Sequence, residues 1–277
     1  MELSSLAKRV ITAGILIPIV VAAILFLETE QLAIRIAVIA LLAALEWTAL
    51  VGINTATTKT IFLTLLAACL YGTYQLISHS WFTEWVLVFA AAWWLVITIT
   101  LFSYKQISPA APGVGVVRAL ICFIVIIPLW TALILLHKSG EDGPLILLFL
   151  LVLIWVADSG AYFSGLRWGK RKLAPVISPK KTWEGVYGAL FGAMVCGALL
   201  AWYKQDEAGA LWLIPICIVT VAMSIVGDLF ESVLKRRMEM KDSGNLLPGH
   251  GGVLDRIDSL IAAAPIFALG LHLTLGL

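Results

Sequence analysis

Asp228 and Glu231 stand three residues apart in "SIVGDLFESVLKRR", and Asp255 and Asp258 three apart in "LDRIDS". Positions three and four apart share a helix face, so each acid pair projects together, and Ser232 joins Asp228 at a spacing of four. The first pair closes one apolar run and the second opens the next. Two helix ends therefore present carboxylates to one membrane boundary. Hard oxygen ligands of this kind suit Mg²⁺ or Mn²⁺, not zinc. A plainer reading is that these acids pair with Lys235, Arg236 and Arg256 and only cap their helices.

Between the two pairs lies "GNLLPGHGG". Gly244, Gly249, Gly251 and Gly252 let a backbone approach a ligand closely or take positive φ. Successive free N–H groups can form an anion nest. Lys241, His250 and Arg256 flank it, although His250 could equally be a capping residue. Cations, nest and metal-binding carboxylates together describe a site for a polyphosphate bridged by a divalent ion.

A second polar stretch, "ISPKKTWEG", offers Ser178, Lys180, Lys181 and Thr182. Pro179 is expected to open a helix there. Hydroxyls, lysines and a helix N-terminus are what phosphate oxygens seek. Upstream, "VADSGAY" puts Asp158, Ser159 and Tyr162 at the end of an apolar span, where an acid is costly and functional by default. "RWGKRK" reads as a surface patch that draws anionic lipid headgroups. "GLRWGK" lacks the spacing of a Walker A loop. There is no obvious Ser–His–Asp or Cys–His nucleophile set. Nothing reads as nucleic-acid binding, and the 11 Trp are interfacial belts.

The elements that position these groups are membrane spans. Of 277 residues, 61% are hydrophobic and only 13% charged, with a mean hydropathy of +1.00. Soluble domains carry about 25% charge. Apolar runs of bilayer length recur from end to end. The expectation is an all-α, polytopic helical bundle with about nine transmembrane helices: 10–27, 32–51, 60–78, 82–103, 119–136, 144–164, 186–203, 209–227 and 259–276. Arg35 and Glu46 interrupt the second. The four cysteines all fall inside apolar runs, where they read as packing residues. We expect one domain over 1–277, with N-terminal spans in 1–143 and catalytic spans and loops in 144–277. Of the 19 Lys and Arg, only Arg35, Lys138 and Lys204 fall on one side of the nine spans. Positive charge marks cytoplasmic loops. The polar site, at 165–185 and 228–258, is then cytoplasmic, with the N-terminus inside and the C-terminus outside.

The stretch "SVLKRRMEMKDSGNLLPGHGGVLDRID", Ser232 to Asp258, resembles the diagnostic pattern of the phosphatidate cytidylyltransferases without departure. "ADSGAYFSGLRWGKRKLAPVISPKKTWEG" is similar to that family's companion motif. The resemblance covers 157–258; the first five spans share only hydropathy. It implies the reaction of CTP with phosphatidate to give CDP-diacylglycerol and pyrophosphate. It further implies Mg²⁺ dependence, a bacterial inner-membrane location and a homodimer. By the same resemblance Asp228 and Asp255 are the central metal ligands, with support from Asp258. Ser178 to Thr182 and the Lys235 to Arg256 loop hold phosphates. The competing readings are another metal-dependent phospholipid phosphotransferase and a secondary transporter of a phosphorylated anion.

Overall fold

The computed structural model describes residues 5–103, 115–244, 246 and 251–276. His250 and Gly249 lie outside the described residues. Among the described residues, nine long helices occupy the nine expected positions: α1 (Ser5–Phe26), α2 (Thr29–Leu50), α3 (Ala56–Leu76), α4 (Ser80–Phe102), α5 (Gly115–Lys138), α6 (Gly143–Trp168), α7 (Trp183–Tyr203), α8 (Leu213–Arg237) and α10 (Leu260–Leu275). A short helix, α9 (Leu254–Ile257), precedes the last of them. Among the described residues, seven helical segments are long and apolar enough to cross a bilayer. The described apolar part of α1 is shorter, Gly14–Phe26. Helix α3 carries Thr57, Thr58, Thr60, Thr64 and Thr73, and it is not among the seven.

Helix α2 is unbroken despite Arg35 and Glu46 within its apolar run. Arg35 is exposed and donates to the Gln31 carbonyl of its own helix. Glu46 is buried against another segment. Two helices outrun their apolar runs. Helix α6 continues to Trp168 and α8 to Arg237, so Asp228, Glu231 and Lys235 are helical.

The loop between α6 and α7 differs from expectation. It forms an antiparallel hairpin, β1 (Lys172–Ala174) with β2 (Ser178–Thr182). Pro179 therefore sits in a strand and does not open a helix. The helix starts at Trp183, where Thr182 Oγ1 accepts from Gly185 N at 3.2 Å. A hydroxyl at this position satisfies a free N–H of the first turn, which fixes the start more firmly than proline does. Glu184 in the same turn accepts from the backbone N–H of Lys170 and Arg171, tying the hairpin to α7.

Helices α6 and α7 pack along small residues, including Gly160, Ala161, Gly185 and Gly188. Such residues let membrane helices approach closely. Helices α8 and α10 pack beside them, and α5 joins α2 to α10. Away from the hairpin, Lys204 Nζ meets Asp142 at 2.9 Å and Glu207 at 2.7 Å, and Tyr203 donates to Asp142. The Lys204 and Tyr203 hydrogen bonds hold the Asp142 carboxyl below the usual carboxylate range.

Candidate active site

Two polar clusters lie at the hairpin end of the bundle. The first lines a cavity of about 510 Å³ between α6, the hairpin, α7 and α8. Its polar wall is Asp158, Lys172, Lys180, Lys181, Thr182, Ser224, Asp228 and Ser259. Tyr162, Leu166, Leu173, Val186 and Ile225 line much of the rest. Lys181 Nζ lies 2.5 Å from Asp228 Oδ2. Ser232 donates to the other oxygen of Asp228 at 3.3 Å, which realises the spacing of four on α8.

Asp158 and Asp258 each lie close enough to Asp228 for their charges to interact, and Arg256 is within range of Asp158. The close approach of α8 to the head of α10 assembles these acids. A Cβ at Gly227 would press on the Asp258 carbonyl. Glycine there lets the two backbones meet. The Asp258 side chain also accepts from Ser259 N at 2.7 Å.

The second cluster centres on Lys235. Its Nζ donates to Glu231 Oε2 at 2.6 Å and to Asp255 Oδ1 at 2.7 Å. The other Asp255 oxygen accepts from Ser243 N at 3.0 Å and Gly252 N at 2.8 Å. Glu231 is fully buried, and among the described residues its Oε1 has no hydrogen-bond partner. This cluster knits the end of α8 to α9 and to both ends of the Gly-rich loop.

The residues singled out in the sequence thus divide. Asp158, Lys180, Lys181, Thr182 and Asp228 share the cavity. The Thr182 hydroxyl is occupied as a helix cap. Ser178 is half-buried in β2, outside the cavity wall. Glu231, Lys235 and Asp255 form the neighbouring anchor. Arg236, Lys241 and Arg256 are exposed at the same end. Gly251 takes φ +84°, in the left-handed region, and the Gly252 N–H is committed to Asp255. Ser224, Ser259 and Glu46 were not picked out as site residues. Ser224 is a single small residue in an apolar run and gives no signal, whereas Ser259 directly follows Asp258 in "LDRIDS". Glu46 does give one, as an acid inside a span.

Among the described residues no three carboxylate, His or Cys side chains close into a ready metal cage. The donor set still fits Mg²⁺. That ion takes one or two carboxylates and completes its shell with substrate phosphates and water. Asp228 is accessible from the cavity, its neighbours are hard oxygen donors, and an ammonium already sits against it.

A model of the cytidylyltransferase family matches residues 7–274. The chain belongs to this family. The phosphatidate cytidylyltransferase of Pseudomonas aeruginosa is 40% identical over 264 residues, which is 95% of this chain and 96% of that protein. That of Haemophilus influenzae is 34% identical over 280 residues, 95% of this chain and 97% of its own. The phosphatidate cytidylyltransferase of Bacillus subtilis is 45% identical over 130 residues, about half of either chain. For a cytidylyltransferase, lysines and carboxylates around one cavity are the expected furniture, because two polyanions must be brought together.

Proposed function

We propose that this chain joins CTP to phosphatidate, forming CDP-diacylglycerol and releasing pyrophosphate. The names of its full-length relatives support the substrates. Within the molecule, one observation carries the reading. The Lys181–Asp228 pair stands in the wall of a cavity whose other surfaces are largely apolar. A phosphate carrying two acyl chains has that profile. Its headgroup would lie against Lys172, Lys180 and Lys181, and its glycerol end along Leu166 and Val186.

The nucleophile is a phosphate oxygen of phosphatidate. A phosphate monoester has its second pKa at about 6, so this oxygen is mostly ionised near neutrality and needs no general base. It forms a bond to the α-phosphorus of CTP. The bond from that phosphorus to the oxygen bridging the β-phosphate breaks, and the electron pair leaves with pyrophosphate. Lys181 screens the repulsion between the two anions, and Lys241 and Arg256 receive the charge of the leaving group. Catalysis is then positioning and electrostatics. Asp228, with Asp158 and Asp258 beside it, would hold Mg²⁺, which when bound supplies neutralising charge between the phosphates. Asp255 has both oxygens engaged by Lys235, Ser243 and Gly252. Its part is to hold the Gly-rich loop, and it reaches a metal only by exchanging those bonds.

The charge bias of the loops supports a cytoplasmic site, with the N-terminus inside and the C-terminus outside. The family resemblance adds the bacterial inner membrane, Mg²⁺ dependence and a homodimer, and the recurrence of apolar runs from end to end supports one continuous domain. The test uses purified protein in detergent micelles with phosphatidate, Mg²⁺ and CTP. Label at the α-phosphorus should enter the lipid, and label at the γ-phosphorus should leave in pyrophosphate. Transfer of γ-label to lipid, or anion uptake into vesicles without bond cleavage, would overturn the assignment.

A further inference from the structure

Helix α2 carries an acid that the proposed chemistry does not use. Glu46 lies one turn from the end of α2 and is only 6% exposed. A buried carboxyl is costly unless it is hydrogen-bonded. Its Oε2 accepts from Leu254 N at 2.8 Å and from the Ser243 hydroxyl at 3.3 Å. Ser243 and Leu254 flank the Gly-rich loop. The same two ends are held by Asp255, through Ser243 N and Gly252 N. Two carboxyls therefore clamp one loop, and one of them comes from the N-terminal half of the chain.

Two of the loop's glycines follow from this clamp. A Cβ at Gly244 or at Gly252 would run into the Glu46 carboxyl. Neither glycine has positive φ. Their small size serves the approach of Glu46, whereas the sequence reading assigned it to the approach of a ligand. Glu46 itself stands on a firm base. Its neighbour Trp47 is fully buried, donates Nε1 to the Arg118 carbonyl at 3.0 Å, and lies 6.2 Å from the Phe230 ring of α8.

We infer that Glu46 is a positioning residue for cytidylyl transfer, acting through Ser243 and Leu254 to fix the ends of the Gly-rich loop. The inference rests on the reading that this loop serves the substrate phosphates. Glu46→Gln keeps an acceptor oxygen and should retain kcat within about threefold. Glu46→Leu removes both bonds and should lower kcat about 100-fold, the scale of a small displacement of positioned groups. It should raise KM for CTP more than KM for phosphatidate.

Coupling to the glycines distinguishes a clamp from a general packing role. Gly244→Ala should cost at least tenfold in kcat in the native chain. In a Glu46→Ala background it should cost less than about twofold, since contacting residues are non-additive. Hydrogen exchange of the 251–258 segment reads the clamp without reference to activity, and thermal unfolding in detergent monitors the fold. Faster exchange with loss of kcat in Glu46→Leu, rescue in Glu46→Gln and a non-additive cycle are the expected results. Unchanged exchange, or an equal cost of Gly244→Ala in both backgrounds, overturns the clamp. Faster exchange with undiminished kcat overturns the loop's part in the reaction, and the positioning role with it, while CDP-diacylglycerol synthesis stands.

Discussion

Lys181 Nζ and Asp228 Oδ2 meet at 2.5 Å, joining the hairpin strand β2 to helix α8 in the wall of the cavity. Both side chains remain partly open, 26% and 31% exposed. A pair in that state can exchange partners when a phosphate and its counter-ion arrive. Lys181→Ala and Asp228→Asn should each lower kcat by about 10²–10³, as for loss of one preorganised charge contact. The double variant should be little worse than the poorer single one, because the pair acts as a unit. A single variant with near-native turnover would remove that residue from the reaction.

Chelation should abolish turnover without unfolding the protein. Mg²⁺ or Mn²⁺ should restore it, and Zn²⁺ should not, given the oxygen-only donors. Asp228→Asn should raise the Mg²⁺ concentration needed for half-maximal rate. Full activity in excess chelator would end the metal reading.

Lys235 bridges two acids that are almost inaccessible, with side-chain exposures of 0% for Glu231 and 6% for Asp255. Breaking such a group by removing one partner costs about 3–5 kcal/mol. Lys235→Met should therefore lower the thermal midpoint in detergent markedly, and Lys235→Arg much less. Equal midpoints for native chain and Lys235→Met would show that the cluster does not stabilise the fold.

The exposed cations should divide by partner. Lys241→Ala and Arg256→Ala should impair CTP use, and Lys172→Ala should impair phosphatidate capture. Arg171 is less clean a probe, because it pairs with Glu184 at 3.5 Å and donates to Tyr187. Exposed charge is screened at high salt. Identical, equally salt-sensitive losses for all of these variants would reduce the division to a generic basic surface.

Cysteines introduced at Lys172 and Asp242 should label from the cytoplasmic face, and one added after Leu277 from the other. Labelling of all three from one face would shift the number of crossings by one.

Much of the fold was legible because bilayer length and apolar composition are long-range, redundant signals. A single polar residue such as Arg35 or Glu46 does not erase them. Asp158, Lys180, Lys181 and Asp228 stood out as candidates because charge is scarce in this chain, and the structure brings them to one cavity. The hairpin was not, because its short strands hold no apolar alternation and Pro179 mimics a helix start. Nor could spacing reveal that Gly244 and Gly252 face Glu46, since that contact joins positions about 200 residues apart.

That separation has a consequence for biogenesis. The Glu46 bonds to Ser243 and Leu254 span 197 and 208 residues of chain. At about 5–20 residues per second of synthesis, α2 waits roughly 10–40 s before its acid meets the loop. During that interval the N-terminal helices carry a carboxyl that lacks these two partners. Chains arrested before Ser243 should accordingly be degraded faster than the same fragments carrying Glu46→Leu. Pulse-chase turnover of the two fragments measures this directly, and equal lifetimes would show that the waiting acid imposes no burden on the nascent protein.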